Sequence, residues 1–174
     1  MNFEYTILDF IRNNLTSPFM DGLMKSISFL GNAGWIWIVL GVVLAIVPRT
    51  RKTGFCVCCA LIFSLVLCNL TLKPLIARVR PYELIEGIEL IIAAPSDHSF
   101  PSGHTSASFA GAVAIFLNEK KLGIPAIILA TLIAFSRLYL YVHFPTDVLG
   151  GMILGSICAV LGYYIVKKTK LNSL

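Results

Sequence analysis

Gly54-Phe-Cys-Val-Cys-Cys-Ala-Leu-Ile-Phe-Ser-Leu-Val-Leu-Cys-Asn-Leu-Thr-Leu72 carries no charged residue from end to end. Its apolar residues run on continuously and do not recur at amphipathic spacing. At about 1.5 Å rise per residue, roughly 20 such residues cross a hydrocarbon core of about 30 Å. Residues 122–135 and 148–166 are equally free of charge. These blocks decide the class: an all-α, polytopic transmembrane helical bundle. The composition agrees, with 57% hydrophobic and 13% charged residues, about half the charged fraction of a soluble domain.

Working outward, the clearest spans are about 33–48, 54–72, 103–118, 122–142 and 147–166, separated by turn signals at Pro48, at Asn118 to Lys121 and at Phe144-Pro145-Thr146. The first thirty residues divide into a short apolar face, Phe3 to Ile11, and a second short apolar stretch, Met20 to Leu30. They read either as an interfacial helix followed by a short sixth span or as a pair lying in the interface. The expectation is six helices in one domain, residues 1–174. Met1 to Arg12 lack the pattern of a cleaved secretory leader.

The net charge of +5 does not point to nucleic acid. Eight of the fourteen basic residues fall in three short segments beside apolar blocks: Arg49, Arg51 and Lys52; Lys120 and Lys121; Lys167, Lys168 and Lys170. Basic residues flanking spans mark the cytoplasmic side. Alternation then puts the polar stretch 73–102 together with 143–146 on the opposite, external face. The five cysteines have neither a zinc spacing nor an even count for a disulfide framework, and read as small apolar residues.

Ionisable residues near spans are costly and are functional candidates by default. Three clusters stand out. In Lys73-Pro-Leu-Ile-Ala-Arg-Val-Arg80-Pro81, a helix would put Lys73 and Arg80 on one face about two turns apart, with Pro81 ending it. Two cations on one point suit an anion with several oxygens, or else a lipid headgroup patch. Arg78 falls off that face. In Pro101-Ser102-Gly103-His104, Ser102 suits the N-cap of a following helix, whose free amides make an anion site that Gly103 lets a ligand approach. His104 would stand beside that anion for proton transfer, or be incidental. In Ser136-Arg137 through His143 to Asp147, Pro145 opens a helix with Asp147 in its first turn. A carboxylate there fixes the tautomer of His143 and leaves its other nitrogen free to attack. Arg137 can reach the same surface or simply snorkel.

Taken together the three clusters resemble the PAP2 superfamily of lipid phosphate phosphatases. The family pattern is Lys, six residues, Arg-Pro; then Pro-Ser-Gly-His; then Ser-Arg, five residues, His, three residues, Asp. Lys73, Arg80 and Pro81, Pro101 to His104, and Ser136, Arg137, His143 and Asp147 match every position in order. The resemblance implies hydrolysis of a phosphomonoester or pyrophosphate through a phosphohistidine. His143 is the expected nucleophile, Asp147 its orienting partner and His104 the acid and base. Lys73, Arg80, Ser102, Gly103 and Arg137 are the expected phosphate ligands. It implies no metal and no other cofactor, a cell-membrane location and a membrane lipid phosphate as substrate. Undecaprenyl pyrophosphate is one candidate; phosphatidic acid and phosphatidylglycerol phosphate are the alternatives. A lipid-phosphate binding protein or transporter using the same cations is the rival of another class. Oligomeric state stays open.

The remaining polar residues read as bystanders. Glu83, Glu86, Glu89, Asp97 and His98 are expected to be solvated. Tyr82, Tyr139 and Tyr141 are expected at the membrane interface, and Trp35 and Trp37 either there, near the external end of their span, or against an acyl chain. Gly150-Gly151 and Gly155 read as a close helix-packing face.

Overall fold

The structure is a computed structural model that describes residues 3–85 and 87–169. Glu86, expected in solvent, and Lys170 of the basic tail lie outside that range. Among the described residues every regular element is helical: α1 (Phe3–Leu15), α2 (Pro18–Leu30), α3 (Trp35–Ile46), α4 (Arg51–Ser64), α5 (Lys73–Ile76), α6 (Gly103–Asn118), α7 (Lys120–Tyr139) and α8 (Pro145–Lys168), with short 3-10 turns between them. A π-helical stretch, Leu65–Leu72, joins α4 to α5 in one continuous rod.

Local chemistry sets several boundaries. Ser17 caps α2 by accepting from the Met20 amide at 3.3 Å, and Pro18 fills the first helical position, where no amide is needed. Ala33 (φ 49°) and Gly34 (φ 68°) then turn the chain into α3. Among the described residues, three helical runs are long and apolar enough to cross a membrane: Pro48–Glu83, Lys120–Tyr139 and Pro145–Lys168. The pair Pro18–Leu30 and Asn32–Ile46, bent by 44°, is a fourth if it counts as one broken span. The expected short N-terminal span is therefore half of a bent pair, with α1 as a further helix before it.

α6 is the hub, packed against α8, α7 and α4. Small residues make this possible. A Cβ on Gly155 would stand 2.3 Å from the Ser106 carbonyl oxygen, so α8 and α6 touch backbone to backbone. Inside the bundle Ser64 and Ser106 share a hydrogen bond of 2.7 Å. Outside, Val42, Ile62, Ile124, Ile128, Ile153 and Ile157 are exposed, a belt suited to lipid and not to water.

Four aromatic residues depart from the interfacial expectation. Trp37 is fully buried, fills the space left by Gly111 and donates its indole N–H to Ser108 at 3.0 Å. Tyr139 and Tyr141 are buried and donate to Asp21 and Asp9 of α2 and α1, at 2.6 and 2.7 Å. Tyr82 is half-buried and donates to the Pro95 carbonyl at 3.1 Å. Each ring carries one polar atom whose partner draws it inward: Ser108 of α6 for Trp37, the short helices α2 and α1 for Tyr139 and Tyr141, and a loop carbonyl for Tyr82. Trp35, by contrast, remains partly exposed.

Candidate active site

The three clusters converge at one end of the bundle. Lys73 begins α5 and Arg80 follows its end, Ser102 caps α6, Arg137 closes α7 and Asp147 sits in the first turn of α8. The helix of the first cluster is shorter than expected. It stops at Ala77, which is left-handed at φ 48°, and Arg80 lies in extended chain. Lys73 and Arg80 still meet, through a loop and not through two turns of one helix.

A cavity of about 770 Å³ opens between these elements. Lys73, Arg80, Gly103, His104, Arg137 and His143 are among the residues that line it. So are the apolar Ile38 of α3 and Leu61, Ile62 and Leu65 from α4 and the π stretch. Ser102 and Asp147 stand behind this wall, both fully buried. The Ser102 hydroxyl accepts from the Thr105 amide at 3.4 Å and the Thr105 hydroxyl at 3.0 Å, and its amide donates to the Asp147 carbonyl at 3.0 Å. The start of α6 is thus tied directly to the start of α8.

His143 is almost completely buried. Its Nδ1 lies 3.6 Å from Asp147 Oδ2, close enough for electrostatic pairing but long for a hydrogen bond. Its Nε2 lies 3.3 Å from Arg80 Nη1. Burial pushes the imidazole down, Asp147 opposes, and Arg80 and Arg137 push it further, to about 3. The ring is therefore neutral at ordinary pH, the state a nitrogen nucleophile needs. His104 Nε2 lies 2.8 Å from Asn32 Oδ1, in the turn between α2 and α3. Gly31 makes room for that contact, since a Cβ there would sit 2.8 Å from His104 Cδ2. Arg137 is hydrogen-bonded to Ser28 of α2, and its Nε has no hydrogen-bond partner among the described residues.

Two residues set aside in the sequence turn out to belong here. Arg78 donates to Asp147 Oδ1 and to Thr146 Oγ1, both at 2.7 Å, and to Glu4 Oε2 of α1, also at 2.7 Å. It also lies over the Phe144 ring. The early end of α5 explains this, because the chain turns and sends Arg78 behind the site. Asp97, expected in solvent, bridges the two cations: its carboxylate pairs with Lys73 and accepts from Arg80 Nη2 at 2.7 Å. Burial alone would raise its carboxyl, but hydrogen bonding and charge from Lys73, with Arg80 adding, hold it down at about 2. Glu83, Glu89 and His98 are exposed as expected.

Sequence reasoning also missed Ser99, which donates to Asp147 Oδ2 at 2.5 Å, as well as Glu4, Ser28 and Asn32. No local pattern marks these last three, because each acts on a partner more than seventy residues away. Asp97 and Ser99 did have a signal, since they lie just upstream of the Pro101-Ser102-Gly103-His104 run, in Asp97-His98-Ser99-Phe100.

A curated relative, undecaprenyl-diphosphatase of Sulfolobus acidocaldarius, is 35% identical over 147 residues, covering 84% of this chain and 70% of its own. The crystal structure of Aquifex aeolicus LpxE superposes with a TM-score of 0.82 at 28% identity, over 94% of this chain and 96% of that one. A PAP2-type phosphatidylglycerolphosphate phosphatase from Bacillus subtilis gives 0.76 at 27% identity, over 97% and 86%. The sequence profile of the PAP2 superfamily matches residues 53–171, which take in all three clusters. With its apolar helices, the chain belongs to the PAP2 superfamily, as a membrane lipid phosphatase.

Proposed function

We propose that this protein hydrolyses the terminal phosphate of a lipid diphosphate by way of a phosphohistidine at His143, on the external face of the cell membrane. The observation that carries the reading is the shared cavity: three cations and two histidines line the same space as Ile38, Leu61, Ile62 and Leu65. A phosphate held by the cations leaves an attached apolar chain facing the apolar wall. The relative named as an undecaprenyl-diphosphatase favours a prenyl diphosphate. The structural neighbour named as a phosphatidylglycerolphosphate phosphatase keeps a diacyl lipid monophosphate as the second reading. The external side follows from the basic segments at the opposite ends of the spans.

Asp147 favours the proton on Nδ1 of His143, so Nε2 keeps its lone pair. Nε2 attacks phosphorus, a P–N bond forms, and the bond from phosphorus to the bridging oxygen breaks. His104 gives its proton to that leaving oxygen, and Asn32 steadies its ring. Lys73, Arg80 and Arg137, with the Gly103 amide, neutralise the non-bridging oxygens as charge builds on them. Ser102 acts by capping the helix that presents those amides. Water, deprotonated by His104, then cleaves the P–N bond and releases inorganic phosphate. No metal enters this scheme.

The test is phosphate release by the purified protein in detergent with EDTA, from undecaprenyl diphosphate, phosphatidic acid and phosphatidylglycerol phosphate. Wild type is expected to release phosphate, fastest from the diphosphate, and His143→Ala to release none. Failure of wild type on every lipid would overturn the enzymatic reading in favour of a binding or transport role. Loss of activity with EDTA would overturn the metal-free scheme.

A further inference from the structure

Asp97 poses a problem for a phosphate site. Its carboxylate pairs with Lys73 and takes a 2.7 Å hydrogen bond from Arg80, so one anion already sits on two of the three cations assigned to phosphate. Its side chain is 54% exposed, whereas those of Lys73 and Arg80 are 6% and 2% exposed. Asp97 therefore sits on the solvent side of two buried cations. Arg137, the third, is not hydrogen-bonded to Asp97 among the described residues and bonds Ser28 instead.

The backbone around Asp97 is held independently of its carboxylate. Arg80 Nε donates to the Asp97 carbonyl at 2.8 Å, and the Ser99 amide donates to the Arg78 carbonyl at 2.8 Å. The side chain can turn outward into solvent while this backbone stays in place. Asp97 also lines the same cavity as Lys73, Arg80, His104 and His143.

We propose that Asp97 is a built-in competitor for the phosphate subsite: its carboxylate occupies Lys73 and Arg80 when the site is empty, turns outward when the substrate phosphate enters, and returns as inorganic phosphate leaves. The idea rests on the phosphatase reading above. Its physical basis is that apparent affinity falls by the fraction of time a site is free. A resident anion weakens phosphate binding and spares two buried cations from standing unpaired between turnovers. It makes Asp97 a residue that tunes substrate affinity and product release, without itself touching the reacting atoms.

The experiment is competitive inhibition of lipid phosphate hydrolysis by inorganic phosphate alone, in wild type, Asp97→Asn and Asp97→Glu. Asn keeps the size of the side chain and removes its charge. Asp97→Asn is expected to bind inorganic phosphate on the order of tenfold more tightly, with KM lowered in the same direction and kcat unchanged or reduced as product leaves more slowly. Asp97→Glu, which keeps the competing charge, is expected to stay near wild type. If Asp97 instead serves to orient the two cations, Asp97→Asn weakens phosphate inhibition and raises KM; that result, or an unchanged inhibition constant, overturns the proposal. Phosphate-dependent thermal stabilisation of each variant gives the same ranking without turnover, so a variant with poor activity still reports. Absence of hydrolysis by wild type would count against the phosphatase reading itself, a result separate from any ordering of the variants.

Discussion

Asp147 and Asp97 flank the same site and meet opposite fates. Asp147 is fully buried, and each oxygen has a structural partner: Arg78 on one, Ser99 and the Phe144 amide on the other. Asp97 is half in solvent, and its carboxylate partners are the cations assigned to the substrate. A carboxylate held by scaffold residues can only orient and stabilise. One held by the substrate's own ligands can be exchanged. The corner between α7 and α8 is thus a fixed frame, and the loop before Ser102 is the adjustable side.

The sharpest way to break this contrast is to neutralise the fixed member. Asp147→Asn is expected to lower kcat on the order of 10³-fold, because the Nδ1 side of His143 loses the carboxylate charge 3.6 Å away that favours its proton, and the developing imidazolium loses its counter-charge. A comparable loss in Asp97→Asn would erase the distinction between the two. Arg78→Ala should cost about 10–100-fold in kcat with KM nearly unchanged, since it frees Asp147 without touching the cavity. A rise in KM instead would place Arg78 among the phosphate ligands.

Gly155→Ala probes the frame from the helix side. A methyl group 2.3 Å from the Ser106 oxygen should destabilise the protein by about 1–3 kcal/mol in thermal unfolding, with residual activity following the folded fraction. The acid response is smaller. The His143 imidazole protonates near 6.5 when unfolded and near 3 when folded, so the unfolded chain binds the extra proton between those values. Stability should therefore fall as pH drops through that window, by about 1 kcal/mol from about pH 7 to about pH 5.5. His143→Asn should flatten that part of the curve. Ser28→Ala is the mildest change: Arg137 loses a partner but keeps its place, and KM should rise about threefold.

The sequence made the fold class and the three clusters legible because charge is so sparse in apolar spans that every exception shows. What stayed hidden depended on where the backbone turns. Arg78 was set aside on the assumption of a helix running from Lys73 to Arg80. The left-handed Ala77 ends that helix early, and no residue type announced it, since alanine normally favours a helix. Asp97 read as solvated because a loop carboxylate usually is. Only the third dimension shows two buried cations beside it. Trp37 read as an interfacial anchor because the chain alone does not show Ser108 and Gly111 forming a slot for it.

The π stretch Leu65–Leu72 carries one last consequence. A wide turn is equivalent to a residue inserted into an α-helix, and each residue of an α-helix advances the rotation by about 100°. Lys73 therefore owes its aim at the cavity to an eight-residue irregularity just before it. Losing one residue from that stretch would leave the hydrophobic span long enough to cross a bilayer while swinging the ammonium away from Arg80. Span length and cation direction are thus under separate control in one helix, and a shortened homologue could keep its membrane topology while losing its phosphate site.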